Sequence, residues 1–393
     1  MRAPRPSLGR LLASCLLGGS AGWGMTAAGA GTAELTLAYD VGLVMVGLFT
    51  TGLAIPYALL QLPAGSLVDR IGIRRAALLG LGLVVAAYLV ASTLPVPALA
   101  LATRAVAGAG TAVCFVAGAE LARQSAWGPS GLGVFGGLTI GAGGVAVVVV
   151  PAVEPLLAWR SAWLTSAAAA ALAMVAVSLA ARDVAVSPVR APTPEGRASS
   201  LWRDGELHRL GAVHAVTLGL SVVLSNFAAV IFRERWGLPT TVAAAAGSLI
   251  LLSAIVSRPL GGWLARRAPD RMRAMTVGAL AASAVGTALL ARPTHLAVAI
   301  VAVLALGVGS GLPFATVIGA AQGRRTDRPA AAVGLMNGHA NLLLVLGTPL
   351  LGAAIERDLT GPALVAVGGL FLLPLLGLPR STARRQPRER PAR

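Results

Sequence analysis

The sequence predicts an all-α membrane protein of twelve transmembrane helices in two six-helix bundles. Three observations predict it: composition, the length and continuity of the apolar runs, and the placing of the arginines. Of 393 residues, 56% are hydrophobic and 12% charged, about half the ~25% charged content of soluble domains. Mean hydropathy is +0.78, and a soluble chain of this length needs far more polar surface to cover its core. The apolar runs are continuous and about 20 residues long, enough for a helix to cross the hydrocarbon layer. Barrel strands would alternate with period two instead.

The first bundle, 1–181, holds runs at 11–30, 41–63, 76–94, 98–121, 131–152 and 161–181. Arg2, Arg5 and Arg10 precede the first run and small residues follow at Ala27–Ala30, the layout of a secretory signal. The rest of the chain is equally apolar, so this run reads as an uncleaved first span. The segment 182–208 contains Pro188, Pro192, Pro194 and Ser199–Ser200 and reads as a linker between bundles. The second bundle, 209–379, holds runs at 210–231, 240–264, 274–291, 296–320, 331–353 and 361–379. The tail, 380–393, is rich in Arg and Pro and reads as disordered, suited to anionic lipid headgroups.

All 32 basic residues are Arg, and the net charge is +17. Numbered from an inside N-terminus, inside segments hold 25 of them and outside segments hold five: Arg160, Arg233, Arg235, Arg292 and Arg357. The remaining two, Arg104 and Arg258, fall within spans. This asymmetry supports the span count and places both termini in the cytoplasm of a multi-pass cell-membrane protein. The arginines interrupt apolar runs rather than forming one basic face, which argues against nucleic acid as a partner. Cys15 and Cys114 both lie in apolar runs and form no metal-ligand spacing; no cofactor is implied.

An internal repeat relates the bundles. At an offset of 197, Gly65, Leu67, Arg70 and Arg74 lie over Gly262, Leu264, Arg267 and Arg271. At an offset of 201, Gly108, Gly110 and Arg123 lie over Gly309, Gly311 and Arg324. Repeats of this kind recur in transporters.

The run Gly65-Ser66-Leu67-Val68-Asp69-Arg70-Ile71-Gly72-Ile73-Arg74-Arg75 resembles the loop motif between the second and third spans of the major facilitator superfamily. Ile73 stands where a basic residue is usual. Arg104-Ala-Val-Ala-Gly108-Ala-Gly110 resembles the family's fourth-span pattern, and Trp159-Arg160 its approach to the sixth span. The resemblance covers the whole chain and implies a secondary transporter, a monomer, moving a small solute by alternating access. It further implies that Gly65, Asp69, Arg70, Gly72 and Arg74 form a gate latching the halves at a helix–loop–helix corner, with protons a possible coupling ion.

Arg104 lies inside the fourth span, where a charge needs water or a partner. Fourth helices of the family line the central cavity, so Arg104 is expected at the substrate. Arg258, in Arg258-Pro-Leu-Gly-Gly262, resembles the eighth span of nitrate/nitrite porters, where an Arg helps hold the anion; here it is grouped with the gate. Those porters also carry an Arg in the second span, where this chain offers Tyr57 and Gln61. The other expected substrate contacts are Trp23, Tyr57, Asn226, Phe314, His339 and Asn341, with Ser310 and Asn337 as further polar or aromatic candidates. All 15 carboxylates fall in loops, at span ends or in the tail. An interior with Arg and no acid favours an anionic or neutral solute by electrostatics. A proton-driven drug or metabolite exporter and a nitrate-type porter are the alternatives within transport. A membrane enzyme would need a cluster on one face, and the four His are scattered. There is no Lys, hence no phosphate-binding G-x-x-x-x-G-K-[ST] loop.

Overall fold

A computed structural model describes residues 7–125, 127–180, 199–292, 295–325 and 329–378. The tail and most of the expected linker lie outside the described residues.

In the first half, Ser7 caps α1 (Leu8–Ala30), its Oγ accepting from the Arg10 amide at 3.4 Å. A short helix α2 (Thr32–Tyr39) meets α3 (Leu43–Leu59) at 107°. Then come α4 (Gln61–Ile71), α5 (Ile73–Ala91), α6 (Pro97–Gln124), α7 (Gly128–Leu157) and α8 (Ser161–Ala180). In the second half, α9 (Ser199–Trp202) precedes α10 (Gly205–His214). A π-helical turn over Ala215–Leu220 joins α10 to α11 (Ser221–Trp236). After these come α12 (Thr240–Leu252), α13 (Ala254–Arg267), α14 (Met272–Leu289), α15 (Leu296–Gly311), α16 (Phe314–Arg324), α17 (Pro329–Glu356) and α18 (Thr360–Leu372).

Each expected run is helical, and twelve spans result because some are broken. The second is α3 with α4, the seventh α10 with α11, the eighth α12 with α13, and the tenth α15 with α16, parted at Pro313. One apolar stretch of 50 residues, 131–180, is two spans: a single helix of that length would run about 75 Å. The chain reverses at Ala158 (φ 48°) and a 3₁₀ turn through Arg160, and α7 and α8 both pack on α1.

The expected helix–loop–helix corner is tighter than the motif suggests. Gly65 to Ile71 are the last turns of α4, and the loop is the single residue Gly72 at φ 83°. Only glycine adopts that conformation without strain, which accounts for this residue of the motif. Arg70 is exposed and Arg74 half-buried. The Asp69 side chain lies outside the described residues.

The structure also corrects the repeat. A side chain at Gly108 would strike the carbonyl oxygen of Leu53 in α3, and one at Gly307 that of Ile250 in α12. Gly110 faces the Gly80 carbonyl in α5, and Gly309 the Ala279 carbonyl in α14. The equivalent pairs are therefore Gly108 with Gly307 and Gly110 with Gly309, an offset of 199 and not 201. In both halves the fourth-span glycines let the second and third spans approach backbone to backbone, the usual basis of helix association in lipid.

Each half has its own apolar core. Leu17, Phe49, Leu53, Leu81, Tyr88 and Trp163 are buried in the first, Phe227, Phe232, Leu280, Leu306 and Phe371 in the second. Large apolar side chains also cover the outside, among them Leu79, Leu83, Leu172, Leu179, Val285, Val301 and Leu350. That is the surface lipid requires and water penalises.

Candidate functional site

The two halves meet around one central cavity of about 80 Å³, several times the space one water needs. The first half contributes Thr26 from α1, Tyr57 from α3, Phe115 from α6 and Phe135 and Thr139 from α7. The second contributes Leu218 from the π turn, Arg258 from α13, Phe314 from α16 and Asn337 and Asn341 from α17. Most of the wall is apolar, and no carboxylate is among its described residues.

Arg258 is its one charged side chain among the described residues. It is 5% exposed; its guanidinium carbon lies 4.0 Å from the centre of the Phe314 ring, and Nη1 donates to the Gly136 carbonyl of α7 at 3.0 Å. That bond crosses from one half to the other. The close approach is possible because Gly136 has no side chain: a Cβ there would lie 2.9 Å from Phe314. Beside Arg258, the Nε2 of His214 donates to the Asn337 Oδ1 at 3.2 Å, and the Asn341 amide donates to the Asn337 carbonyl at 2.9 Å. Two buried donors on the wall have no partner, the Nε of Arg258 and the Nδ2 of Asn337. Orphaned buried donors are costly, and any acceptor, neutral or anionic, would satisfy them.

Away from the termini the halves are sealed. Thr51 Oγ1 of α3 donates to the Val345 carbonyl of α17 at 2.8 Å, and the Val44 amide donates to Glu356 Oε1 at 3.3 Å. Thr50 donates to the Asn226 Oδ1 of α11 at 3.3 Å. Gly47 lies against the Pro349 backbone and Gly29 against Asn226, so α1 and α3 touch α11 and α17 with almost nothing between them. Toward the termini α7 has more room: a side chain at Gly133, one turn before Gly136, would meet no atom within 4 Å.

Of the expected substrate residues, the structure brings Tyr57, Phe314 and Asn341 to the cavity, together with Arg258, a residue the sequence places with the gate. Arg104 is not there. It is fully buried within the first half, where Nε donates to the Phe49 carbonyl at 2.7 Å and Nη1 to the Gly24 carbonyl at 2.6 Å and to Tyr88 Oη at 2.9 Å. Tyr88 stacks on Trp163, whose indole donates to Tyr39 Oη at 3.0 Å. Arg104 thus ties α1, α3, α5 and α6 together; carbonyls and a phenol meet its Nε and Nη1, while its buried Nη2 has no partner. Trp23 packs on the first core and donates to Thr165 at 3.1 Å. Asn226 lies in the sealed seam. His339 pairs with His208 at 3.0 Å and does not line the cavity.

Phe115, Phe135 and His214 were missed from the sequence. The chain has only seven Phe, and that scarcity is the signal that could have marked the first two. Nothing in the sequence distinguishes His214.

The family model of the Major Facilitator Superfamily matches residues 12–348, and the chain belongs to that family. Over 187 residues it is 32% identical to the protein named "Probable nitrate/nitrite transporter NarK2" in two strains of Mycobacterium tuberculosis, covering 42% of this chain and 43% of the relative. The match therefore spans less than half the length of those relatives. The fold is similar to that of the nucleoside transporter NupG (TM-score 0.73, 13% identity, 94% of this chain and 98% of that one). It is also similar to the human organic anion transporter MFSD10 (TM-score 0.67, 17% identity, 95% and 99%).

Proposed function

We propose that this member of the Major Facilitator Superfamily moves a small anionic solute across the cell membrane by alternating access, binding it at Arg258. The observation that carries the reading is a buried guanidinium in a cavity shared by both halves, with unpartnered donors in the wall and, among the described residues, no other charge and no carboxylate there. In a site of low dielectric such a cation attracts an anion far more strongly than it would in water. Phe314 and Phe135 supply an apolar wall that excludes water, and Tyr57, Asn337 and Asn341 supply polar groups that orient the solute. The similarity to a nitrate/nitrite transporter supports the same solute class.

The Arg258–Gly136 bond suggests how binding and movement are linked. An anion competing for the guanidinium weakens a bond between α7 and α13, and so biases the seam on which the halves rock. The excess of arginine on the side of the termini makes that side cytoplasmic, so the far-side seal corresponds to a cavity turned toward the cytoplasm. In this reading Gly65, Asp69, Arg70, Gly72 and Arg74 latch the halves in the opposite state.

Thermal stabilisation of the purified full chain by a panel of anions tests the reading, alongside flux of the same anions into proteoliposomes. Arg258→Gln should abolish both while the protein remains folded. Stabilisation by neutral or cationic solutes, indifferent to Arg258→Gln, would overturn it.

A further inference from the structure

Two histidines outside the cavity lie against each other. His208 lies on α10 and His339 on α17, and three short contacts run through them. His208 Nε2 lies 2.7 Å from the Trp202 carbonyl oxygen, His208 Nδ1 lies 3.0 Å from His339 Nε2, and His339 Nδ1 lies 2.8 Å from the Leu335 carbonyl oxygen. A carbonyl oxygen only accepts, so each outer nitrogen must carry a hydrogen. The inner pair of nitrogens needs one more hydrogen between them.

The pair therefore needs three ring protons for its three contacts. Two neutral imidazoles bring only two: either lone pairs face each other across 3.0 Å, or a lone pair faces a carbonyl. Two imidazolium rings bring four, and then two N–H groups collide. Only the singly protonated pair, one imidazolium donating to one imidazole, satisfies every contact.

We propose that His208 and His339 form a two-imidazole site that binds one proton, shared between the rings, and that this proton holds α10 to α17 beside the cavity.

The surroundings are suited to the role. Gly211 of α10 lies flat against the His339 ring, where a Cβ would be 2.8 Å from Nδ1, so the two helices meet at the pair. His208 is partly exposed, which gives the proton a route to water. Most charged groups on neighbouring elements are engaged elsewhere, and Arg203, beside Trp202, is exposed. Asp204, before α10, accepts from Arg324 of α16 at 2.8 and 2.9 Å. Glu206 of α10 pairs with Arg209 at 3.8 Å. Arg325, at the end of α16, has a partner of its own. Arg258 of α13 is bound at Gly136, and His214 donates to Asn337. No carboxylate is hydrogen-bonded to the pair among the described residues, so the second imidazole is the base that accepts. Asn337 is two residues from His339, and His214 is on the helix that carries His208. Protonation therefore acts on elements that carry the cavity wall. That the proton influences solute movement rests on the transporter reading above; the proton site itself does not.

The test is imidazole ¹⁵N NMR of the full chain in detergent, titrated from about pH 5 to about pH 9, a range that brackets ordinary imidazole titration. Two of the four His belong to the pair, and His208→Gln and His339→Gln assign their signals. The expected result is that three of the pair's four ring nitrogens carry hydrogen at the acid end. One proton should then be lost in a single step seen at both rings, with an N–H···N proton resonance that disappears in either variant. Two rings that titrate independently, or a pair with one N–H per ring throughout, would overturn the proposal. A misfolded variant leaves the wild-type titration as the deciding measurement. Failure of every solute to move in proteoliposomes would count against the transporter reading and leave this result standing. If both readings hold, His339→Gln should flatten the pH dependence of flux.

Discussion

Replacing Arg104 with lysine should damage the fold and spare the site. The guanidinium makes three charge-assisted hydrogen bonds, at 2.6, 2.7 and 2.9 Å, to groups on α1, α3 and α5. Each bond of this kind contributes about 1.5–3 kcal/mol. A lysine ammonium is a single point at the end of a flexible stem and cannot span the Phe49 and Gly24 carbonyls as the planar fork does. Losing two of the three bonds costs roughly 3–6 kcal/mol gross. Readjustment of the ammonium toward one carbonyl returns part of that, leaving a net loss of about 3 kcal/mol. The thermal midpoint of the purified chain should fall by roughly 5 °C, read by tryptophan fluorescence, because Trp163 stacks on Tyr88 at the centre of this network. Folded Arg104→Lys protein should still be stabilised by the anions that stabilise the wild type. A variant with an unchanged midpoint that no longer responds to anions would refute this and return Arg104 to the solute.

Three further outcomes follow from the geometry. Gly29→Ala places a Cβ 2.6 Å from Asn226 Cα across the sealed seam, closer than real contacts allow, so the seam should open. Maleimide labelling of a cysteine at Thr51 should rise several-fold, and unchanged labelling would show that the seam absorbs the methyl. Asp69→Asn should lower flux while leaving membrane insertion and expression intact, and unchanged flux at normal expression would remove the latch. Arg324 holds the Asp204 carboxyl below the usual carboxylate range, so this pair stabilises the fold at neutral pH and its contribution is lost as pH falls through that lowered value. Because Arg324 is 46% exposed, the pair is worth no more than about 1 kcal/mol. Asp204→Asn keeps an oxygen to cap α10, so its deficit at pH 7 should be that small and should shrink on acidification, as followed by thermal unfolding across pH.

The architecture was legible in the sequence because its cause is one-dimensional. Lipid demands about 20 consecutive apolar residues per span and leaves arginine to the loops, and both demands are met locally along the chain. The repeat was legible for the same reason, though its register was not. Gly307, Gly309 and Gly311 are alternate residues of one helix, and which of them meets which neighbour depends on how that helix is turned. The tight corner at Gly72 and the span break at Pro313 were written in residues with special backbone preferences, glycine by its freedom and proline by its restriction. The π turn at Ala215–Leu220 was not, since no residue there forbids an ordinary helix.

The candidate site depended on tertiary structure. Arg104 and Arg258 look alike in sequence as intramembrane cations, and the fourth-span pattern points to the first for the solute. Their difference lies in what surrounds each. Three bonds to groups of its own half hold Arg104, whereas Arg258 lines the shared cavity and reaches a bare backbone carbonyl of the other half; each guanidinium has one buried nitrogen without a partner. His339 likewise changed its role once α10 brought His208 to it, from 131 residues away. The sequence by itself determined that this chain lives in lipid, in two related halves, with basic loops on one side. Which buried polar groups are satisfied, and which are not, was decided by packing between helices distant in the chain, because hydrogen-bond partners are fixed by position in space and not by order in sequence.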